Sequence, residues 1–247
     1  MRITLLGIGV ALAAMLIQAG CFEEREACAQ EAQDVVHSIP WGDEDRAEYV
    51  LLDGETMEEC GTGLLEIERQ GDQYELTLEF EGEGDSDQSV VVVDAETLRP
   101  NSIRRQRTID DEIEIVEGEY DPDEEVVRIV EITDGEERTI PRRLDEETYY
   151  DNESSLFLWR TIDFEIGYEA SYRAVLVNQG GTQQVITLEV VEREQITVPA
   201  GTFDAWRVEI RFADVDQVAW YADTPERPLV QYDNSVQLLQ LTGITTP

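Results

Sequence analysis

The sequence predicts a mainly β protein: one curved antiparallel sheet, a half-barrel or open barrel, behind a short N-terminal helix or tether. Three observations carry that prediction. Apolar residues alternate with charged ones at period two along much of the chain, the pattern of strands with one wet face. About a dozen such runs follow one another with short turns between them, which implies a meander that curls on itself. No long Pro/Gly/Ser linker interrupts the runs, so residues 47–247 read as a single β domain.

The N-terminus comes first. Met1-Arg2 gives a positive start, Ile3 to Ile17 is almost wholly apolar, and Ala19-Gly20-Cys21 follows before the acidic Glu23, Glu24 and Glu26. Residues 1–20 therefore read as a signal peptide, too short for a comfortable membrane span. The Ala-Gly-Cys ending resembles the lipobox of prokaryotic lipoproteins, although Gln18 stands where Leu is usual. The resemblance implies a lipid on Cys21 and an extracytoplasmic protein anchored to a membrane. Residues 21–46 read as an acidic tether or short helix, stopped by Pro40. Cys28 and Cys60 then remain as a pair, and an exported setting favours a disulfide between them. Such a bridge contributes roughly 3–4 kcal/mol in the chain-entropy account. The alternative, a cysteine metal site, lacks paired spacing.

The strands follow. Tyr74, Leu76, Leu78 and Phe80 alternate with Glu75, Thr77, Glu79 and Glu81. Val90 to Val93 is a short continuous apolar run, Ile113 and Ile115 alternate with acids, and Val126 to Ile132 precedes a turn at Gly135. Ile186, Leu188 and Val190 share one face, opposed by Thr187, Glu189 and Arg193. Trp206, Val208, Ile210 and Phe212 share another, and Val218 and Trp220 continue the series. Tyr149 to Phe164 is the least strand-like stretch, with Leu156 to Trp159 as a short helix, a plug or a lid.

Charge narrows the function. Fifty-six acidic residues face 18 basic ones, for a net charge of -38, and every basic residue is Arg. Such a surface repels phosphate backbones and anionic head groups, so nucleic acid is excluded as a partner. Solubility in salty medium and cation capture both fit the acidity; the scatter of acids along the chain favours the first.

Catalytic sets are absent from the pattern. His37 is the sole histidine, so a nucleophile would have one available base. No phosphate loop, dinucleotide fingerprint or zinc spacing occurs, and Asp85-Ser86-Asp87 starts like an EF-hand loop without completing it. Neither an enzyme nor a cofactor or metal is expected. Asn152-Glu153-Ser154 is a glycosylation triplet by sequence.

Val198-Pro199-Ala200-Gly201-Thr202-Phe203 is a tight hairpin by chemistry: Pro199 fixes one φ and Gly201 supplies a positive one. Together with Asp94 through Pro100, Trp220-Tyr221, and Pro228-Leu229-Val230 leading into Leu238-Leu239, it resembles a widespread family of exported bacterial proteins of unknown function marked by a VPAGTF hairpin. The resemblance spans roughly residues 60 to 242 and leaves out the acidic N-terminal stretch. It implies curved sheets like the half-barrels of the lipoprotein-carrier (LolA-like) group, which hold acyl chains against a concave apolar face. Trp159, Trp206, Phe212, Trp220 and Tyr221 are the large residues that could form such a wall, although ordinary core packing is the plainer account of them. Two functions are carried forward. One is a membrane-tethered protein that binds a lipid or other hydrophobic ligand. The other is a structural or assembly lipoprotein with a protein partner, of unknown identity, and no ligand cavity.

Overall fold

A computed structural model describes residues 33–133, 135–145, 148–212 and 215–245. The expected signal peptide, Cys21 and Cys28 lie outside the described residues.

Among the described residues, fifteen strands form one sheet. They are β1 (Glu44–Asp53), β2 (Glu59–Gln70), β3 (Gln73–Gly82), β4 (Asp85–Asp94), β5 (Pro100–Ile109), β6 (Glu112–Asp121), β7 (Val126–Thr133), β8 (Glu136–Arg143), β9 (Tyr150–Asp151), β10 (Glu169–Leu176), β11 (Thr182–Val198), β12 (Gly201–Phe212), β13 (Val215–Ala222), β14 (Leu229–Asp233) and β15 (Gln237–Thr245). The order across the sheet runs β8 back to β1, then β15 back to β9. Two meanders are therefore joined along a β1–β15 seam, in which Arg46 pairs Thr245 and Asp53 pairs Gln237. Every neighbour is antiparallel except the two-residue parallel pairing of β9 with β10. The fold is the open, curved antiparallel sheet that the periodicity predicts.

Period-two patterning does the sorting. In β3, Tyr74, Leu76, Leu78 and Phe80 face the core while Glu75, Thr77 and Glu79 face outward. Opposite them, Val91 and Val93 of β4 and Leu65 and Ile67 of β2 are buried. Burying each such side chain contributes about 1.5–3 kcal/mol. The turns are equally specified. Between β1 and β2, Asp53 Oδ1 accepts from the N–H groups of Glu55 and Thr56 and from Thr56 Oγ1, and Met57 adopts φ 60°. Between β4 and β5, Asp94 Oδ1 does the same with Glu96 and Thr97, and Leu98 adopts φ 54°. One Asp-x-Glu-Thr sequence thus builds one turn twice.

Among the described residues the sheet does not close by a ladder. Its far edges, β8 and β9–β10, are bridged by side chains instead: Arg142 Nε donates to Gly180 O at 2.6 Å, and Gln183 Nε2 to Arg143 O at 2.9 Å. A Cβ on Gly118 of β6 would sit 2.8 Å from Ile103 and 3.1 Å from Val177, so glycine there permits the close approach of the turn after β10.

Residues 33–43 contain no helix. They form an extended strap whose backbone is satisfied by neighbours: Gln33 N–H donates to Ser171 O on the β10 edge, and His37 and Ser38 N–H both donate to Thr161 O. Pro40 lacks the donor that a helix would need. Among the described residues no helix is long and apolar enough to cross a membrane.

Candidate functional site

The concave face is occupied by the chain itself. Every residue from Tyr149 to Ile162 is buried. This plug starts as β9, makes one turn of 3-10 helix at Asn152–Ser154, then the four-residue α1 (Ser155–Leu158) and a second 3-10 turn at Trp159–Thr161. The Asp151 side chain starts it, accepting from Glu153 N–H at 2.8 Å, and Ser154 Oγ donates to Asp151 O.

Specific polar contacts hold the plug on three sides. Towards β10 and β13, Trp159 Nε1 donates to Tyr172 Oη at 2.8 Å, Ser155 Oγ lies 3.0 Å from the same oxygen, and Tyr221 Oη donates to Leu156 O. Towards β1, Arg160 Nη2 pairs with Asp45 at 2.5 Å, its guanidinium lies 5.0 Å from the Trp41 ring centre, and it also donates to Glu226 O and Arg227 O. The strap crosses the outside: Val35 is fully buried, Tyr150 Oη donates to Asp34 at 2.7 Å, and Arg99 lies over the Tyr150 ring.

The third side is the foot of the plug, against β4, β5 and β6. Arg105 grips Asp87 with two donors, Nε at 2.8 Å and Nη2 at 2.5 Å, and gives Nη1 to Glu153 at 3.1 Å. Ser89 Oγ donates to Glu153 Oε2, and Tyr120 Oη donates to Asp151 at 2.6 Å. All of these residues are buried. Burial pushes the Asp151 carboxyl up to about 7 despite the Tyr120 hydrogen bond. Burial also raises Glu153, opposed by Arg105. For Arg105, burial alone would lower the pKa, but Glu153 and Asp87 hold it above the usual guanidinium value.

The sequence-predicted residues are dispersed by this arrangement. Trp159, Phe212 and Tyr221 lie fully buried. Trp206 sits half-buried at the rim against Phe164, with Nε1 donating to Asp223. Trp220 lies on the convex side: Gln217, Ala219 and Tyr221 take the inner positions of β13, and Trp220 Nε1 donates to Glu194 at 2.7 Å. The five therefore do not make one wall, because strand alternation sends Trp220 outward. Arg193 also changes face. A bulge between Val190 and Glu192 reverses the alternation and brings Arg193 across from Trp206.

Pro199 and Ala200 form the two-residue turn of the β11–β12 hairpin, with Gly201 at φ 139°, and Ala200 N–H donates to Leu241 O so that the tip rests on β15. Cys60 is a free, half-buried thiol donating to Leu51 O; the bridge to Cys28 falls outside the described residues. Asn152 of the glycosylation triplet is 5% exposed, which bars a glycan there. His37 lies at the surface with Tyr168 and Asp163. Asp85 and Asp87 belong to β4, not to a loop, and among the described residues no group of three or more His, Cys, Asp or Glu could hold a metal. A groove of about 230 Å³ runs on the convex side of β11–β13, between Glu189, Arg207, Glu209, Arg211 and Asp216.

The buried foot is what sequence reasoning missed. Its signal was parity: Arg105 follows Ile103, and Asp87 precedes Ser89 and Val91, at inward positions of their strands.

Comparison with known proteins gives a family and a fold. Residues 48–235 match the family described as "Protein of unknown function (DUF3108)". The crystal structure of a β-barrel-like protein of the DUF1849 domain of unknown function, from Brucella abortus, superposes with a TM-score of 0.51 at 10% identity, over 84% of this chain and 99% of that one. A Bacteroides fragilis protein described as exported, with a YmcC-like fold, aligns over 85% of this chain and 100% of its own at 11% identity, with a TM-score of 0.33. No curated protein matches the chain.

Proposed function

The chain belongs to the DUF3108 family, whose function is unknown, and from that premise we propose that it is an exported, lipid-anchored protein that acts through its outer surface on a protein partner of the cell envelope. One observation carries the choice: residues 149–162 fill the concave face that a LolA-like carrier would offer to an acyl chain. The buried pairs Arg160–Asp45 and Arg105–Glu153 hold them there. Removing one member of such a pair typically costs about 3–5 kcal/mol, so a ligand gains little by pushing the plug aside. The signal-like Met1 to Gly20 and Cys21 support export and anchoring.

Two measurements test the reading. Full-length protein is extracted with organic solvent, before and after incubation with host lipid, and analysed by mass spectrometry; a stoichiometric lipid would defeat the surface-acting reading. Cys21→Ser is then fractionated: protein that stays with membranes removes the anchor from the proposal.

The hydrophobic-ligand reading requires the plug to give way, because Leu156, Phe157, Leu158 and Trp159 are buried in the concave face where an acyl chain would lie. A lipid recovered in the extraction would replace the first proposal with this one.

A further inference from the structure

The foot of the plug holds more buried negative groups than cations. Asp87, Asp151 and Glu153 are each at most 8% exposed, and so is one guanidinium, Arg105, which is fully engaged by Asp87 and Glu153. Arg107, 27% exposed, stands 3.6 Å from Asp87 and 3.8 Å from Glu114. Asp151 receives its hydrogen bonds from a phenol, Tyr120 Oη, and a backbone N–H, that of Glu153. The groups around the Asp151–Glu153 pair can be named element by element: Tyr120 on β6 meets Asp151; Ser89 on β4, Arg105 on β5, Asn178 after β10 and, electrostatically, Tyr232 on β14 meet Glu153; and Asp87, Arg107 and Glu114 stand one contact further out. Beyond Tyr149, whose ring stacks on Tyr120, stand Arg99 and Asp121. Buried carboxylates left without a counter-charge take up a proton.

We infer that this foot is a proton-operated latch: a proton held in the Asp151–Glu153 pair keeps residues 151–154 docked on β4–β6, and its loss lets them detach. Once Asp151 ionises, two buried carboxylates two positions apart share one guanidinium that Asp87 already grips. Detachment returns both to water. The other end of the plug keeps its contacts with Asp45 and Tyr172, so the foot swings first. The position of Asp151, pushed up to about 7 chiefly by burial, puts the switch in the neutral range. The two-residue ladder of β9 adds little at Asp151, while Tyr150 stays held by Asp34 and Arg99 and serves as the hinge.

Amide hydrogen exchange of the full chain, corrected for intrinsic rates, tests the latch between pH 5.5 and 8.5. Protection at residues 151–154 is expected to fall by about tenfold per pH unit above the midpoint, the slope of one proton. The amides of β3 serve as the control and stay constant. Asp151→Asn carries no ionisable group and is expected to remain protected throughout. Tyr120→Phe removes the hydrogen bond that favours the carboxylate, so its midpoint moves to higher pH. Flat protection in the parent chain overturns the latch, and so does a fall that persists in Asp151→Asn. If Asp151→Asn does not fold, the Tyr120→Phe midpoint decides: an unchanged or lowered midpoint overturns the inference.

Discussion

Replacing Arg105 by Met isolates what the buried foot contributes. Methionine fills much of the guanidinium's space and removes every donor, so Asp87 and Glu153 lose the contacts at 2.5–3.1 Å. Arg107 stays 3.6 Å from Asp87, which keeps one counter-charge. Glu153 keeps Ser89 and Asn178, neither of them charged, and must be neutralised. Protonating an ordinary glutamate at pH 7 costs about 4 kcal/mol, close to three pH units at 1.36 kcal/mol each. That figure falls within the roughly 3–5 kcal/mol expected for stranding one member of a buried pair. At pH 5 the same protonation costs about 1 kcal/mol. Urea unfolding of parent and variant at both pH values measures the two losses, and the chain's general self-repulsion cancels in each difference. A second variant, Arg105→Met with Glu153→Gln, is expected to recover part of the pH 7 loss. A deficit below about 1 kcal/mol at pH 7, or an equal deficit at both pH values, would refute the idea that Arg105 neutralises the foot.

Other expectations follow from the same structure. Gly118→Val places carbon where Ile103 and Val177 already are and is expected to cost about 1–3 kcal/mol, read as a lower urea midpoint. Trp159→Ala empties the centre of the plug and strands Tyr172 Oη; a loss of about 3–5 kcal/mol is expected, with new uptake of a small apolar probe detected by fluorescence. Stability should show a maximum in mildly acidic solution. Asp151 has a raised folded pKa, so its contribution is complete below the ordinary aspartate value and is lost as pH rises through about 7. The carboxyls of Asp53 and Asp121 are held low by backbone and side-chain hydrogen bonds, and that of Asp94 by Thr97 against the opposing effect of burial. Their contributions are present above the ordinary value and vanish as pH falls through their lowered ones. Thermal unfolding across pH 3–9 checks both limbs, and a monotonic profile would contradict the pairing.

The sheet was legible because its cause is local. β3 alternates side chain by side chain, and the Asp-x-Glu-Thr turns carry their own hydrogen-bond partners. The Pro199–Ala200 turn was legible for the same reason. Tyr149 to Phe164 stood out for lacking alternation, yet only the tertiary structure shows its polar ties to Asp45, Tyr172 and Arg105. Those partners lie on strands far away in sequence. Arg193 lies on the face opposite to the one simple alternation predicts, because one extra residue at the β11 bulge reverses everything beyond it, and no residue type announces that insertion. The size of Trp220 suggests an inner place, whereas strand parity turns it outward.

The β1–β15 seam bears on how the protein is made. About 190 residues separate the paired strands, so this contact closes the largest loop in the chain. A chain that emerges N-terminus first, from a ribosome or a translocon, can assemble β1 to β8 by successive hairpins while β1 still waits for its partner. During that interval β1 presents a bare strand edge whose core-facing positions are Ala47, Tyr49 and Leu51. Such an edge is competent to pair with another copy. The arrival of the last nine-residue strand therefore ends the period in which the nascent molecule is open to misassembly.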